Sequence, residues 1–101
     1  MRLLSRVLLQ RKIAIDIYAK PGCCLCDQAQ FNLRRMLGSL GPEAMSRVSV
    51  EKVNIEENEK LIDKYSLSIP VILVDGDVVA ESIVDVPKVR KLIQQKLEKS
   101  G

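Results

Sequence analysis

Histidine and tryptophan are both absent from this 101-residue sequence. Without an imidazole, the chain has no histidine general base and no cysteine–histidine catalytic pair, and it cannot build the zinc sites that need histidine. Long apolar runs are also absent, since none approaches the roughly 20 residues that a helix needs to cross a bilayer. We therefore expect a soluble protein that does not bind membranes and whose chemistry comes from other side chains.

The sequence also lacks the charge pattern that is typical of nucleic-acid binding. Its formal net charge is +3, but four basic residues and no acidic residue lie within residues 1–12. The rest of the chain carries 12 basic and 13 acidic side chains. Because a nucleic-acid-binding domain clusters its lysines and arginines on one face, we expect no nucleic-acid partner.

Residues 1–12 form a basic N-terminal extension. The segment is rich in arginine, contains no acidic residue and places Leu4, Val7 and Leu8 at helical spacing. This composition is typical of a mitochondrial presequence, and the alternative is an extension that frays or packs against the domain. We expect mitochondrial localisation if the segment is a presequence and cytoplasmic localisation otherwise. The domain itself is predicted to span residues 13–101.

Cysteine is scarce and confined to one place. The three cysteines are Cys23, Cys24 and Cys26. Because they lie so close together, they cannot staple distant loops, which argues against a secreted scaffold held by disulfides and for a reducing compartment. With 47% hydrophobic and 29% charged residues, the composition predicts one globular domain.

The pattern of apolar residues predicts an α/β fold with the element order β-α-β-α-β-β-α. Short runs of β-branched residues indicate strands, and apolar residues three or four positions apart indicate helices. The predicted elements are a strand at 13–18, a helix at 25–40, a strand at 48–55, a helix from Glu56, a hairpin of strands at 69–74 and 78–80 around Asp75–Gly76, and a helix at 86–97 capped by Asp85. A strand, crossover helix and strand make a parallel pair, and the hairpin adds an antiparallel pair. The result is a four-stranded mixed sheet flanked by helices on both faces.

Cys23 and Cys26 form a C-x-x-C motif at the start of the first predicted helix. Unpaired backbone N–H groups and the helix dipole stabilise a thiolate at this position, and the nearby cation of Lys20 adds to the effect. We therefore expect Cys23 to be the more reactive thiol. Cys26, three residues further on, lies close enough to attack a mixed disulfide formed on Cys23.

Two other interpretations of the motif stay open, namely zinc binding and burial as small hydrophobic residues. A closed zinc site needs four ligands, and this chain offers neither histidine nor a second C-x-x-C pair, so no metal site is predicted. We expect Cys24 to be a tolerated small residue, and Asp16 to be a partly exposed strand residue rather than a proton-transfer group.

Three segments of the sequence resemble the glutaredoxin-like branch of the thioredoxin superfamily. They are Tyr18–Cys26, Ser68–Val71 and Val74–Val79, and the resemblance extends over about residues 13–97. It implies a thioredoxin-like fold with the element order given above. Thioredoxin itself is less similar, because the tryptophan before its first active cysteine and the Gly-Pro between its cysteines are both missing here.

The resemblance implies roles for five residues of one active site. Cys23 is the expected nucleophile and Cys26 the expected resolving thiol. Lys20 stands where the family has a lysine that helps to bind the glycine carboxylate of glutathione. Pro70 is the expected cis-proline facing the cysteines, so that Ile69 can offer its backbone to an extended substrate.

The sequence departs from the family pattern at two places. Cys24 and Leu25 stand between the active cysteines where glutaredoxins usually have Pro-Tyr, and Ala80-Glu81-Ser82 replaces a Gly-Gly pair followed by Asp. We therefore expect glutathione binding to be weaker or less selective than in a typical glutaredoxin.

The resemblance and the motif together predict a thiol–disulfide oxidoreductase with a part in cell redox homeostasis and electron transport. Its expected partners are protein or low-molecular-weight disulfides, glutathione is a candidate co-substrate, and no tightly bound cofactor is expected. Two alternatives are an iron–sulfur-binding or -transferring glutaredoxin-like protein, and a thioredoxin-fold interaction module without turnover.

Overall fold

A computed structural model describes residues 12–100 of the chain. The predicted N-terminal extension lies outside the described residues except for Lys12. The elements are β1 (Ile13–Ala19), α1 (Cys24–Gly38), α2 (Pro42–Ser46), β2 (Val48–Asn54), α3 (Glu59–Tyr65), β3 (Val71–Val74), β4 (Asp77–Glu81) and α4 (Val86–Ser100). Within residues 12–100, no helix is both long enough and apolar enough to cross a membrane.

The four strands form one mixed sheet in the order β2-β1-β3-β4. β1 pairs in parallel with β2 and antiparallel with β3, and β3 pairs antiparallel with β4. Ile15, in the middle of β1, lies opposite Val50 on one side and Val74 on the other. All four residues of β3 are buried, as expected of a strand that is covered on both faces. The predicted α/β fold class is confirmed.

The hairpin between β3 and β4 turns at Asp75 and Gly76, as predicted. Both residues have positive φ angles, 50° and 86°, which is the geometry of a type I′ turn and explains the Asp-Gly pair. The Asp75 N–H donates to the Ala14 carbonyl at 2.7 Å, and the Ala14 N–H donates to Asp75 Oδ1 at 2.9 Å. These two bonds tie the turn to the beginning of β1. Lys96 of α4 adds an ion pair to Asp75 at 3.4 Å.

The larger apolar cluster lies between the sheet and the helices α1 and α4. Alternate residues of β1 point toward these helices, because successive side chains of a strand face opposite sides of the sheet. The buried members of this cluster are Ile13, Ile15, Ile17, Leu33, Met36, Leu37, Ile72, Val74, Val89 and Ile93. Their spacing on α1 and α4 follows the helical repeat, which confirms the predicted apolar faces of both helices.

A second cluster gathers at the end of β1 that leads to the cysteines. Its buried members are Ala19, Cys26, Ile55, Tyr65, Ile69, Val71 and Leu73, with Tyr18, Cys23 and Leu61 packed against them. The Tyr18 and Tyr65 rings meet edge to face with centroids 5.1 Å apart. α3 therefore helps to enclose the part of the molecule that carries the C-x-x-C motif.

The structure corrects the predicted start of the second long helix. Glu56 lies in a 3₁₀ turn over Ile55–Glu57, and α3 begins only at Glu59. The cause is a pair of asparagine caps. Asn54 Oδ1 accepts the Glu56 N–H at 3.0 Å, and Asn58 Oδ1 accepts the Lys60 N–H at 2.9 Å. Such side-chain hydrogen bonds compete with a continuous α-helix. The chain therefore forms a 3₁₀ turn and then a separate helix, where the run of glutamates by itself indicates a single helix start.

Other element boundaries shift by a few residues. α1 ends at Gly38, and the short helix α2, which was not predicted, follows with Pro42 in its first turn, where proline is well tolerated. β3 begins at Val71 rather than at residue 69. The predicted cap of the last helix is confirmed, because Asp85 Oδ1 accepts the Lys88 N–H at 3.2 Å.

Replacing Leu33 by alanine is expected to cost about 2–5 kcal/mol of unfolding free energy. The side chain is fully buried between α1 and the sheet, so the substitution leaves a cavity. Urea denaturation of the oxidised protein, followed by circular dichroism, measures the loss. Leu67→Ala is the matched control, since Leu67 is 97% exposed and should change stability by no more than about 0.5 kcal/mol. Equal effects of the two substitutions would contradict the assigned core.

The pKa of Tyr18 gives a pH prediction. Partial burial raises the pKa of Tyr18 above its ordinary value, and the Asp16 carboxylate raises it further. As pH rises past the ordinary tyrosine value of about 10, the unfolded chain loses its phenolic proton before the folded protein does. Stability should therefore fall with rising pH in this range. Tyr18→Phe should make that fall less steep in urea titrations above pH 10, and identical slopes for the two proteins would refute the assignment.

Candidate active site

Cys23 caps the N-terminus of α1 just beyond the end of β1. Pro21 and Gly22 make the connecting turn, and Gly22 has a φ of 79°, a left-handed conformation that glycine adopts readily. Cys23 has extended backbone angles, and its Sγ accepts the Cys26 N–H at 3.2 Å. The sulfur of Cys23 thus lies where the unpaired N–H groups of the first helical turn converge.

Cys23 and Cys26 are joined by a disulfide, with their Cα atoms 5.2 Å apart. The two residues differ in exposure. Cys26 is only 1% exposed and belongs to the second cluster, whereas Cys23 is half-buried at its edge. A disulfide or thiol from solvent therefore has access to Cys23 and not to Cys26.

Cys24 is the first residue of α1 and is a free, exposed cysteine. It is separate from the disulfide, although it adjoins Cys23 in sequence. Asp16 is half-buried on β1, in agreement with the expectation of a partly exposed strand residue. In the part of the chain that the structure describes, no group of three or more His, Cys, Asp or Glu side chains is placed to hold a metal ion.

Ile69 and Pro70 lie immediately before β3, in the same part of the molecule as the cysteines. The peptide bond between them is cis, which confirms the conformation inferred from the family resemblance. Pro70 is fully buried, and Ile69 belongs to the second cluster with Cys26. The structure thus brings Cys23, Cys26 and Ile69 together, with Pro70 adjacent in the chain. Their roles in substrate binding stay predictions.

Lys20 follows β1 and lies three residues before Cys23. Its side chain is exposed. Among residues 12–100 it makes no hydrogen bond or ion pair. The ammonium group is therefore free to meet an anionic ligand near the start of α1, and its predicted role in holding a carboxylate is also untested.

The position of Ile83 beside the site was not predicted from the sequence. The Ile83 N–H donates to the Glu81 carbonyl at 2.6 Å, which closes a three-residue turn centred on Ser82. Ser82 has a φ of 60°, and its N–H donates to the carbonyls of Ser68 at 2.8 Å and Pro70 at 2.9 Å. These bonds attach the segment after β4 to the cis-proline segment. The sequence did contain one signal for this position. Ile83 is an apolar residue between the last strand and the Asp85 cap, and neither a strand pattern nor a helix pattern accounts for it.

Comparison with known proteins agrees with this geometry. The model of the glutaredoxin-like domain family (DUF836) matches residues 14–94. The solution structure of protein Ne2328 from Nitrosomonas europaea aligns with a TM-score of 0.65 at 21% identity, over 81% of this chain and 92% of that one. The X-ray structure of protein XcR50 from X. campestris aligns with a TM-score of 0.62 at 24% identity, over 80% and 96%.

Thioredoxins share the fold at lower sequence identity. Oxidised thioredoxin from Plasmodium falciparum aligns with a TM-score of 0.55 at 15% identity, over 94% of this chain and 90% of that one. A search of curated proteins found no significant match. A thioredoxin fold with a C-x-x-C pair at disulfide distance supports a redox-type role. Because the family model matches most of its length, this chain belongs to the glutaredoxin-like domain family (DUF836).

Proposed function

We propose that the protein is a thiol–disulfide oxidoreductase in which Cys23 is the nucleophile and Cys26 the resolving thiol. The difference between the two joined cysteines carries this proposal. Cys23 is accessible at the N-terminus of α1, and Cys26 is buried one turn further along the same helix. A thiolate is favoured at such a helix terminus by the local N–H groups and the dipole. Of the two joined cysteines, only Cys23 combines that environment with access for a substrate.

The exchange proceeds in two steps. The Cys23 thiolate attacks one sulfur of a substrate disulfide, a bond forms between them, and the other substrate sulfur leaves as a thiolate that takes a proton from water. Cys26 then loses its proton and attacks Cys23 Sγ, which forms the Cys23–Cys26 disulfide and breaks the bond from Cys23 to the substrate. The first substrate sulfur leaves as a thiolate and takes up the proton that Cys26 released. Two electrons pass from the protein to the substrate. A dithiol or two monothiol molecules return the protein to its reduced state through the reverse steps.

The segment of Ile69 and Pro70 and the side chain of Lys20 provide the substrate contacts in this proposal. Ile69 offers its carbonyl group to an extended peptide, because its N–H already donates to the Tyr65 carbonyl at 3.1 Å. Pro70 fixes the direction of that backbone, and Lys20 attracts an anionic group near Cys23. The substrates are protein or low-molecular-weight disulfides, and glutathione is a candidate reductant.

The segment after β4 offers glutathione few hydrogen-bonding or charged groups. The Ser82 N–H already donates to two carbonyl groups, so it is not available to a ligand carboxylate. Ile83 places an apolar side chain in a position close to where glutaredoxins carry an acid. Lys20 is therefore the main charged contact that this proposal offers to glutathione.

Substitution of each cysteine tests the proposed roles. Cys26→Ser should trap a mixed disulfide on Cys23 when the reduced protein meets a disulfide-linked model peptide, because the resolving thiol is absent. Cys23→Ser should reduce exchange to the uncatalysed rate. Mass spectrometry identifies the adduct, and dithiothreitol-driven peptide reduction measures the rate.

Cys24→Ser is the matched control and should retain the wild-type exchange rate, since Cys24 is exposed and outside the disulfide. Full activity of Cys23→Ser would overturn the assignment, as would faster labelling of Cys24 than of Cys23 by iodoacetamide at neutral pH. An intact fold without any exchange would favour an interaction module instead.

Glutathione-dependent peptide reduction is expected to show a KM about tenfold higher than that of a typical glutaredoxin measured alongside, the equivalent of one lost charged contact. Lys20→Gln should raise the KM by a further factor of about three to ten, because it removes the remaining cation. Lys12→Gln is the matched control, since Lys12 is also exposed but immediately precedes β1, at the end of the strand away from the cysteines. A KM as low as that of the glutaredoxin would refute the expected loss of glutathione binding. Equal KM values for the two lysine variants would refute the role of Lys20.

A further inference from the structure

A cavity of about 140 Å³ opens between α1 and the segment that follows β4. One wall is formed by Leu25 and Ala29 of α1, and the other by Ile83, Val84 and Val86. The large side chains at its mouth are unusually accessible, with Leu25 56% and Ile83 84% exposed. Exposed leucine and isoleucine on facing walls of one cavity make an apolar surface that water does not favour.

The lining of the cavity carries no charge. Its polar members are the neutral side chains of Gln28, Asn32 and Ser82, and the other five are apolar. A ligand with carboxylate groups would lose hydration there without gaining a cationic partner. An apolar group gains free energy by leaving water in the same place. The cavity therefore selects for an apolar group and against an anionic ligand such as glutathione.

The size of the cavity limits its occupant to one side chain. A dry protein cavity of about 150 Å³ is known to hold a benzene molecule. A volume of about 140 Å³ thus suits a leucine, isoleucine or phenylalanine side chain. A helix or a longer peptide segment would not fit, so the remainder of such a ligand must lie outside, along the surface of the domain.

The cavity adjoins the cysteine site on both of its walls. Leu25 immediately precedes Cys26 in α1, and Ser82 is hydrogen-bonded to the Pro70 carbonyl at 2.9 Å. The lining residues of α1 run from Leu25 to Asn32, which is about 10 Å of helix at about 1.5 Å per residue. An extended peptide covers that distance in about three residues, at about 3.3–3.6 Å each. A side chain that enters the cavity therefore belongs to a residue within about three positions of a cysteine bound at Cys23.

The backbone around Ser82 holds Ile83 in its exposed position. Ser82 adopts the left-handed region with a φ of 60°, which is unfavourable for a residue with a side chain. Three hydrogen bonds to the cis-proline segment fix this conformation, two from the Ser82 N–H and one from its Oγ to the Ser68 carbonyl at 3.3 Å. Backbone strain that is fixed in this way is concentrated at functional sites.

We propose that this cavity is a side-chain subsite for peptide and protein disulfides, which binds one leucine-like or phenylalanine-like side chain within three residues of the substrate cysteine. The proposal rests on the proposed oxidoreductase function, since the subsite acts only when a substrate cysteine reaches Cys23. It assigns polypeptide disulfides as the preferred substrate class. The occupant is a side chain of the partner polypeptide, held beside the exchanging sulfur atoms.

A peptide series tests the subsite. Each peptide is built from glycine and serine, contains one cysteine disulfide-linked to mercaptoethanol, and carries a single leucine at one of the three positions on either side of that cysteine. The reduced wild-type protein should reduce at least one member about tenfold faster, in kcat/KM, than the peptide without leucine. Ile83→Ser should lower this advantage to about threefold or less, and Leu25→Ser, on the opposite wall, should do the same.

Val78→Ser is the matched control, because Val78 is also an exposed apolar residue, 45% accessible, but lies beside the hairpin turn at the other end of the sheet. This variant should keep the full leucine advantage. Circular dichroism should show the same fold for all three variants.

The outcomes separate the two proposals. Reduction of the peptide without leucine, combined with no gain from leucine at any position, overturns the subsite and leaves the oxidoreductase function standing. A leucine advantage that survives both Ile83→Ser and Leu25→Ser also overturns the subsite. If no peptide is reduced at all, both proposals are wrong.

Discussion

Burial of one face of α1 against β1 determines where both cysteines lie. Leu33 and Leu37 of the helix pack with Ile15 and Ile17 of the strand in the larger cluster. Removal of this apolar surface from water fixes the rotation of the helix about its own axis. That rotation directs Cys26 inward, since it precedes Leu33 by seven residues, or about two helical turns. Cys23, one turn earlier at the cap, stays at the edge of the domain. The difference in access between the two thiols is thus a consequence of core packing.

Much of the fold follows from patterns that act over a few residues. The apolar repeat of α1, the Asp75–Gly76 turn and the Asp85 cap each depend on local chemistry, and each is found where the sequence predicts it. The start of α3 was mispredicted because a run of glutamates favours a helix terminus, while the asparagine caps that interrupt it compete over the same few residues. The two local preferences, for a helix start at the glutamates and for side-chain caps at the asparagines, are of similar strength. Only the packing of the surrounding structure decides between them.

The candidate site also has one part that could be predicted from the sequence and one part that could not. The positions of Cys23 and Cys26 follow from the motif and the helix start, and the cis bond before Pro70 was expected from the family resemblance and not from the residues themselves. The arrangement at Ile83 was not predictable, because it depends on bonds between Ser82 and a segment that is twelve to fourteen residues earlier in the chain. Hydrogen bonds between segments that are distant in the chain produce no repeating pattern of residues from which they could be predicted. The part of the site concerned with chemistry is therefore encoded locally, and the part that we assign to substrate choice is encoded by tertiary contacts.

The hydrogen bonds between Asp75 and Ala14 join the hairpin turn to the beginning of β1. β1 has seven residues and spans about 23 Å at a rise of about 3.3 Å per residue, so this junction and the cysteines occupy opposite poles of the sheet. The polypeptide enters the domain at the pole of Asp75. A purification tag, a fluorescent reporter or a linker to a solid support that is joined directly to Lys12 is therefore tethered at the end of the sheet opposite the disulfide. The geometry makes the domain of residues 12–100 suitable for immobilisation through Lys12 with the thiols facing the solution.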